Sequence, residues 1–282
     1  MTKPRATRTK PATHTQAQLT SRDRAPLESL AWAGFLSTGQ IEKLHYPSRR
    51  VAQRRLRALL DHGLVRAALQ GTALQNDNIF ALTMKGVDYL KENETYDEAT
   101  TIRPGRLPRV SKAAHGLRIR DIFVEVELAE SAGLFKLKNM MIESMPFAGC
   151  PIIPDLTIEF DPVGDAKTLF IEVDLASETS SCLRRKFERY ALFLGAHHLL
   201  VLVEREGRRQ TMQKLLTGVG LGARVEVALF SEFGVMLRDP THPVFARPRL
   251  FERTTEREEE PCFPEDSQSR TSTFRVLPEG SV

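Results

Sequence analysis

Between Asn93 and Arg109 the apolar periodicity of the chain lapses. That polar stretch, broken by Pro104, Gly105 and Pro108, separates two periodic regions, residues 26–92 and 111–240. It therefore predicts two modest cores joined by a linker, 93–110, rather than one large core. A chain of 282 residues with 41% apolar side chains can fill both. Residues 1–25 carry Thr, Lys, Arg and Pro and almost nothing large and apolar, so a disordered basic arm is expected. Residues 241–282 read as a flexible tail with an acidic cluster at Glu256–Glu260.

The formal charge of +4 matters less than its placement. Lys3, Arg5, Arg8, Lys10, Arg22 and Arg24 face only Asp23 near the start, while the tail is acidic. Such segregation suggests a polyanionic partner and a tail that competes with it. No apolar run approaches the roughly 20 residues that span a bilayer, and the basic N-terminus lacks the apolar segment of a secretory signal. Cys150, Cys182 and Cys262 are odd in number and lack CxxC spacing, against a disulfide framework or a cysteine zinc site. A cytoplasmic protein with no membrane partner is expected.

In the first region, Leu27–Phe35 and Thr38–Tyr46 have helical patterns, with Thr38 as a candidate N-cap and Pro47 as a stop. Ser48 can cap a third helix, Arg49–His62, which Gly63 ends. Two strands, Leu64–Leu69 and Ile79–Thr83, flank a Gly/Asn/Asp turn, and Thr83–Glu92 closes as a helix. Three helices and a hairpin are the order of a winged helix-turn-helix. On the third helix Ala52, Leu56, Leu59 and Leu60 share one side, and Arg50, Arg54 and Arg57 share the other with Gln53 at the border. A core face backed by arginines suits a recognition helix on double-stranded DNA, because guanidinium groups bind phosphates and guanine edges. Arg66 or Lys85 would add contacts from the wing.

The second region begins with a helical pattern, Lys112–Ser131. Strands at Leu134–Glu143, Ile153–Phe160 and Thr168–Asp174 follow, then a helix, Ser180–Leu194, and a buried strand, His198–Val203. A helix at Gln210–Thr217 and a strand at Ala223–Phe230 complete the region. This order, αβββαβ with a further helix and strand, predicts an α/β architecture, a mixed sheet flanked by helices. Asp155 follows Pro154, and Glu172 and Asp174 bracket Val173, so both of the latter leave one face of their strand. If the strand bearing Asp155 pairs alongside, three carboxylates converge and repel one another. A divalent cation, Mg²⁺ or Mn²⁺, would resolve that repulsion and activate water against a phosphodiester. No GxxxxGK[ST] or Gly-x-Ser-x-Gly occurs, which argues against an NTPase and a serine hydrolase.

The Pro-Asp and later Glu-x-Asp within that order resemble the PD-(D/E)xK nuclease superfamily. More narrowly, Phe35–Leu44, Ser48–Val65, Phe80–Gly86, His115, Pro154-Asp155, Phe170–Asp174, Glu178-Thr179 and Lys186 to Tyr190 resemble the replication-relaxation family of plasmids and mobile elements. The resemblance implies DNA binding in plasmid replication, relaxation or mobilisation. The superfamily places Lys two residues after its second acid, and Asp174 stands there instead. Two arrangements would compensate. Lys186 on the following helix reaches the site from the side, or Asp174 acts as a third metal ligand. The site so expected is Asp155, Glu172 and Asp174 holding metal, with Lys186 assisting. His115 could line it, although a lone histidine is more often structural, and Tyr190 suits an aromatic core role better than a nicking nucleophile.

Three functional readings remain. The first is a Mg²⁺- or Mn²⁺-dependent endonuclease or nickase. The second is a winged-helix replication or transcription regulator whose nuclease fold is degenerate. The third is a recruiter of a separate relaxase or replication protein. A homodimer fits any of them, as winged-helix regulators often pair.

Overall fold

The computed structural model describes residues 18–69, 77–92, 103–145, 152–161, 168–195, 197–221, 225–239 and 242. The expected arm up to Ala17, most of the hairpin turn and nearly all of the acidic tail lie outside them. Described structure starts at Gln18, well before Pro26, because Asp23 is wholly buried and bonds Arg55. The described residues form a mixed α/β protein of eight α-helices and two sheets. None of these helices is long and apolar enough to cross a membrane.

The first body runs α1 (Arg24–Ala33), β1 (Leu36–Ser37), α2 (Thr38–His45), α3 (Arg49–Asp61), β2 (Val65–Leu69), β3 (Asn78–Leu82) and α4 (Met84–Glu92). Its three strands lie in the order β1-β3-β2, all antiparallel. Ser37, not Thr38, caps α2. Its hydroxyl accepts from Gln40 N at 3.2 Å while Gln40 Oε1 accepts from Ser37 N at 2.9 Å, a reciprocal cap. Ser48 is the N-cap of α3 but makes no side-chain cap bond. Gly63 ends α3 at φ +69, a conformation costly for any residue with a Cβ. Leu27, Leu30, Leu36, Ile41, Leu56, Leu59, Leu82 and Leu90 form the core.

The second body runs α5 (Val110–Ser131), β4 (Leu137–Ile142), β5 (Leu156–Phe160), β6 (Thr168–Asp174), α6 (Ser180–Phe193), β7 (His198–Val203), α7 (Glu206–Gly218), β8 (Val225–Leu229) and α8 (Phe230–Arg238). The sheet order is β4-β5-β6-β7-β8. The first three strands are antiparallel, and β6, β7 and β8 are parallel through the crossover helices α6 and α7. One face packs Leu169, Ile171 and Val173 against α5 and α8, and the other packs Phe170 and Val201 against α6 and α7. The sequence pattern misses α8. There the strand stops at Leu229, whose amide donates to Glu232 Oε2 at 2.9 Å, and Phe233, Met236 and Leu237 turn inward at helical spacing.

The two bodies are packed together. Phe123 and Val124 of α5 join the first core, while Ile119, Ile122 and Val126 on the same helix serve the second. Residues 103–109, expected as linker, lie against the first body. Gly105 donates to Leu82 O at 3.1 Å and accepts from Arg66 at 2.6 Å, and a Cβ there would run into the Gly34 carbonyl. Arg66 is thereby held to the linker rather than presented by the wing. Residues 93–102 lie outside the described residues.

Candidate functional site

Two candidate sites occupy the two bodies, and each follows from local periodicity. On α3, Ala52, Leu56 and Leu59 are buried, which turns Arg50, Gln53, Arg54 and Arg57 to solvent. Arg50 and Arg54 form no ion pair among the described residues. Arg57 sits 3.0 Å from Asp61, so this row is not wholly free of acids. The pair is exposed and worth a few tenths of a kcal/mol, about 0.3–0.5, little enough for a phosphate to displace. Arg49 and Arg55, on the same helix, do structural work instead. Arg49 pairs with Asp77, and Arg55 pairs with buried Asp23.

The acidic site is built on β5 and β6. Leu156 pairs with Ile171 across the antiparallel ladder. Asp155, one residue earlier, therefore falls beside Glu172. Its Oδ2 accepts from the Val173 amide at 2.7 Å, and its Oδ1 accepts from His115 Nε2 at 3.1 Å, reaching in from α5. Glu172 is 3% exposed. One of its oxygens accepts from Lys186 Nζ and the other from the Tyr190 hydroxyl, both on α6. One helical turn separates Lys186 from Tyr190, so a single face of α6 supplies both donors.

The charges are strongly coupled. Burial, then the Asp155 charge, push Glu172 up to about 8 against the pull of Lys186 and Tyr190. Burial works to raise Asp155 as well. The His115 hydrogen bond and the Lys186 charge outweigh it and hold Asp155 below the usual carboxylate range. His115 is raised by its bond to Asp155, against burial. Lys186 is raised too, since Glu172 and Asp155 together outweigh its desolvation.

Asp174 shares the strand face of Glu172 but goes elsewhere. It pairs with Arg208 in the first turn of α7, where Nη2 lies 3.1 Å from Oδ1, and it accepts from the Ala176 amide at 3.1 Å. The structure thus brings Asp155, Glu172 and Lys186 together and leaves Asp174 in a neighbouring ion pair. Among the described residues no group of three or more His, Cys, Asp or Glu side chains is placed to hold a metal ion. Arg208 escaped the sequence reading because only the parallel β6–β7 crossover brings α7 over Asp174.

Thr179 is the N-cap of α6 and accepts from the Cys182 amide at 3.4 Å, which fixes where Lys186 and Tyr190 fall. The Glu-Val-Asp, Thr, Lys and Tyr positions are therefore one unit, comprising the strand, the cap of the next helix and that helix's inward donors. The family model for replication-relaxation matches residues 27–200, more than half of the chain. The chain belongs to the replication-relaxation family. No curated protein matched it. In this replication-relaxation protein the matched span covers the first body from Leu27 in α1 onward and runs through β6 and α6 into β7, so it contains both candidate sites. Membership points to a role in plasmid or mobile-element replication or relaxation.

Proposed function

We propose that this protein is a DNA-binding nuclease of a mobile element. In this reading the first body is a winged helix-turn-helix that grips double-stranded DNA through Arg50, Gln53, Arg54 and Arg57. The second is a PD-(D/E)xK-like domain that cuts or nicks the backbone. The observation that carries the reading is Lys186, which meets Glu172 beside Asp155 although its lysine comes from the helix and not from the strand.

Mg²⁺ commonly binds through one or two carboxylates, substrate phosphate and water. Asp155 and Glu172 supply two adjacent carboxylates, so the donor set fits such an ion once phosphate completes it. Asp174 would join only by leaving Arg208. When bound, the ion would offset the carboxylate charges and favour attack by water. The side chains do the rest. His115 and the Val173 amide orient Asp155, Tyr190 orients Glu172, and Lys186 supplies a cation where negative charge develops on the phosphate. Water would form the new bond to phosphorus as the bond from phosphorus to the sugar oxygen breaks; the water's proton would pass to solvent and the leaving sugar oxygen would take one up from solvent, so no protein–DNA bond forms. The Tyr190 hydroxyl is buried on Glu172 and is no nucleophile.

Supercoiled plasmid carrying DNA from beside the gene tests this proposal, with Mg²⁺, Mn²⁺ and chelator compared. Nicked or linear product from the wild type, lost in Asp155→Ala with duplex binding retained, is the expected result. Equal cleavage by the variant rejects the site. The second reading is a regulator without chemistry, favoured by the full occupation of both Glu172 oxygens by protein donors. Bound DNA without metal-dependent product would select it.

A further inference from the structure

From Arg103 to His115 a cationic or imidazole side chain recurs at every third residue: Arg103, Arg106, Arg109, Lys112, His115. The row crosses from an extended segment onto a helix. Arg109, the N-cap of α5, is itself extended at φ −66 and ψ 145. Residues 103, 106 and 109 are exposed while Gly105 is buried and pinned to the first body. On α5, Lys112 and His115 are three apart on one face, with Ala113 and Gly116 turned inward.

Arg106, Arg109 and Lys112 form no ion pair among the described residues, and the first turn of α5 contains no acid. The row ends at His115, which bonds Asp155. It starts where Arg66 holds the Gly105 carbonyl, on the hairpin strand that follows α3.

We infer that Arg106, Arg109 and Lys112 form a phosphate track that carries the duplex backbone from the recognition body to the acidic site. This rests on the DNA-binding reading above. Charge complementarity selects the occupant. An exposed row of three positive charges with no acidic partner neutralises successive phosphates, and flexible Lys and Arg side chains span the gaps. The segment between the bodies is thus a third contact surface, and it sets the direction in which DNA leaves the first body.

The test measures affinity for a labelled duplex of arbitrary sequence, long enough to span both bodies, across salt concentrations. Each lost phosphate contact should reduce the log–log salt slope by about 0.9, so Arg106→Ala/Arg109→Ala/Lys112→Ala should lose about 2.7. Between about 50 and 200 mM salt, the affinity advantage of the wild type over this variant should then shrink about fortyfold. The Arg50→Ala/Arg54→Ala variant should lose about 1.8, and the two losses should add. Arg106→Lys/Arg109→Lys should keep the wild-type slope, which guards against loss of fold. A triple variant with the wild-type slope overturns the track. If the Arg50/Arg54 pair is also silent, or the wild type binds no duplex, the DNA-binding reading itself has failed.

Discussion

Arg120 should be the largest single contributor to the junction between the bodies, and Arg120→Met tests this. Its side chain is almost completely buried on α5. Nε donates to the Ala33 carbonyl at the end of α1 at 3.0 Å, the guanidinium lies 4.1 Å over the Phe35 ring, and Nη1 donates to Glu143 Oε2 at 3.0 Å. A hydrogen bond from a charged donor contributes about 1.5–3 kcal/mol. A desolvated cation–π contact adds about 1–2 kcal/mol. The Glu143 pair is half exposed and adds under about 1 kcal/mol. Burial of the guanidinium opposes all three and lowers its pKa. Methionine refills most of the volume, so the net loss should be about 2–4 kcal/mol. Urea unfolding measures it, with Trp32, the sole tryptophan and a neighbour of Ala33, reporting the first body and far-ultraviolet circular dichroism reporting both. The midpoint should fall with the slope unchanged. Arg120→Lys should recover little, since an ammonium cannot stack and fork together. A loss below about 1 kcal/mol, or a lysine variant as stable as the wild type, would refute the clamp.

Two further predictions concern the first body. Burial depresses His45 to about 4, and its Nε2 lies 2.9 Å from the Ser29 hydroxyl. A folded pKa below the unfolded value of about 6.5 means full stability above about 6.5, then a loss of up to about 3 kcal/mol as pH falls towards 4. The His45→Asn variant should lack this component of the acid slope; an unchanged slope in a melting series from neutral to acid pH would remove His45 as its source. Gly105→Ala should destabilise by about 2 kcal/mol or more, because the added methyl meets the Gly34 carbonyl with no room for retreat. Thermal melts of the two proteins read this directly, and matching melting temperatures would mean that residues 103–109 detach from the first body.

The sequence shows what periodicity can encode and omits what tertiary contact decides. The helices α1 to α3, the hairpin and the succession of five strands along the second body follow from spacing, caps and glycines, because each signal lies within a dozen residues. The placement of Asp155 beside Glu172 was legible only as a condition: alternation sets the faces of the two strands, but their pairing and the register of Leu156 on Ile171 come from the β5–β6 ladder. The pairing of Asp174 was not legible. Alternation fixes its face, but Arg208 lies thirty-four positions onward and claims it only after β7 pairs with β6. Gln40 and Arg120 escaped for the same reason. Gln40 looks like an ordinary α2 residue, yet Nε2 bonds Leu117 O at 2.9 Å and Asp121 Oδ1 at 2.8 Å across the junction.

That junction has a functional consequence under the proposed reading. A recognition domain on a free linker would let the nuclease-like body sample many phosphates, and cleavage positions would scatter. Here Gln40 and Arg120 tie α2 and α1 to α5, while His115 on the same helix bonds Asp155. One helix therefore sets both the pose of the first body and the orientation of an acid in the second. Arg120 adds a second link, because its partner Glu143 donates its amide to the Asp155 carbonyl at 3.0 Å. The distance from α3 to the acidic site is fixed by packed side chains instead of tether length. Cleavage, where it occurs, should fall at one offset from the bound site. Loosening the junction with Arg120→Met should broaden that offset before it abolishes binding, and primer extension on the nicked strand would show the spread. A single sharp offset in a variant shown to be loosened would mean that the bodies keep their spacing by other contacts.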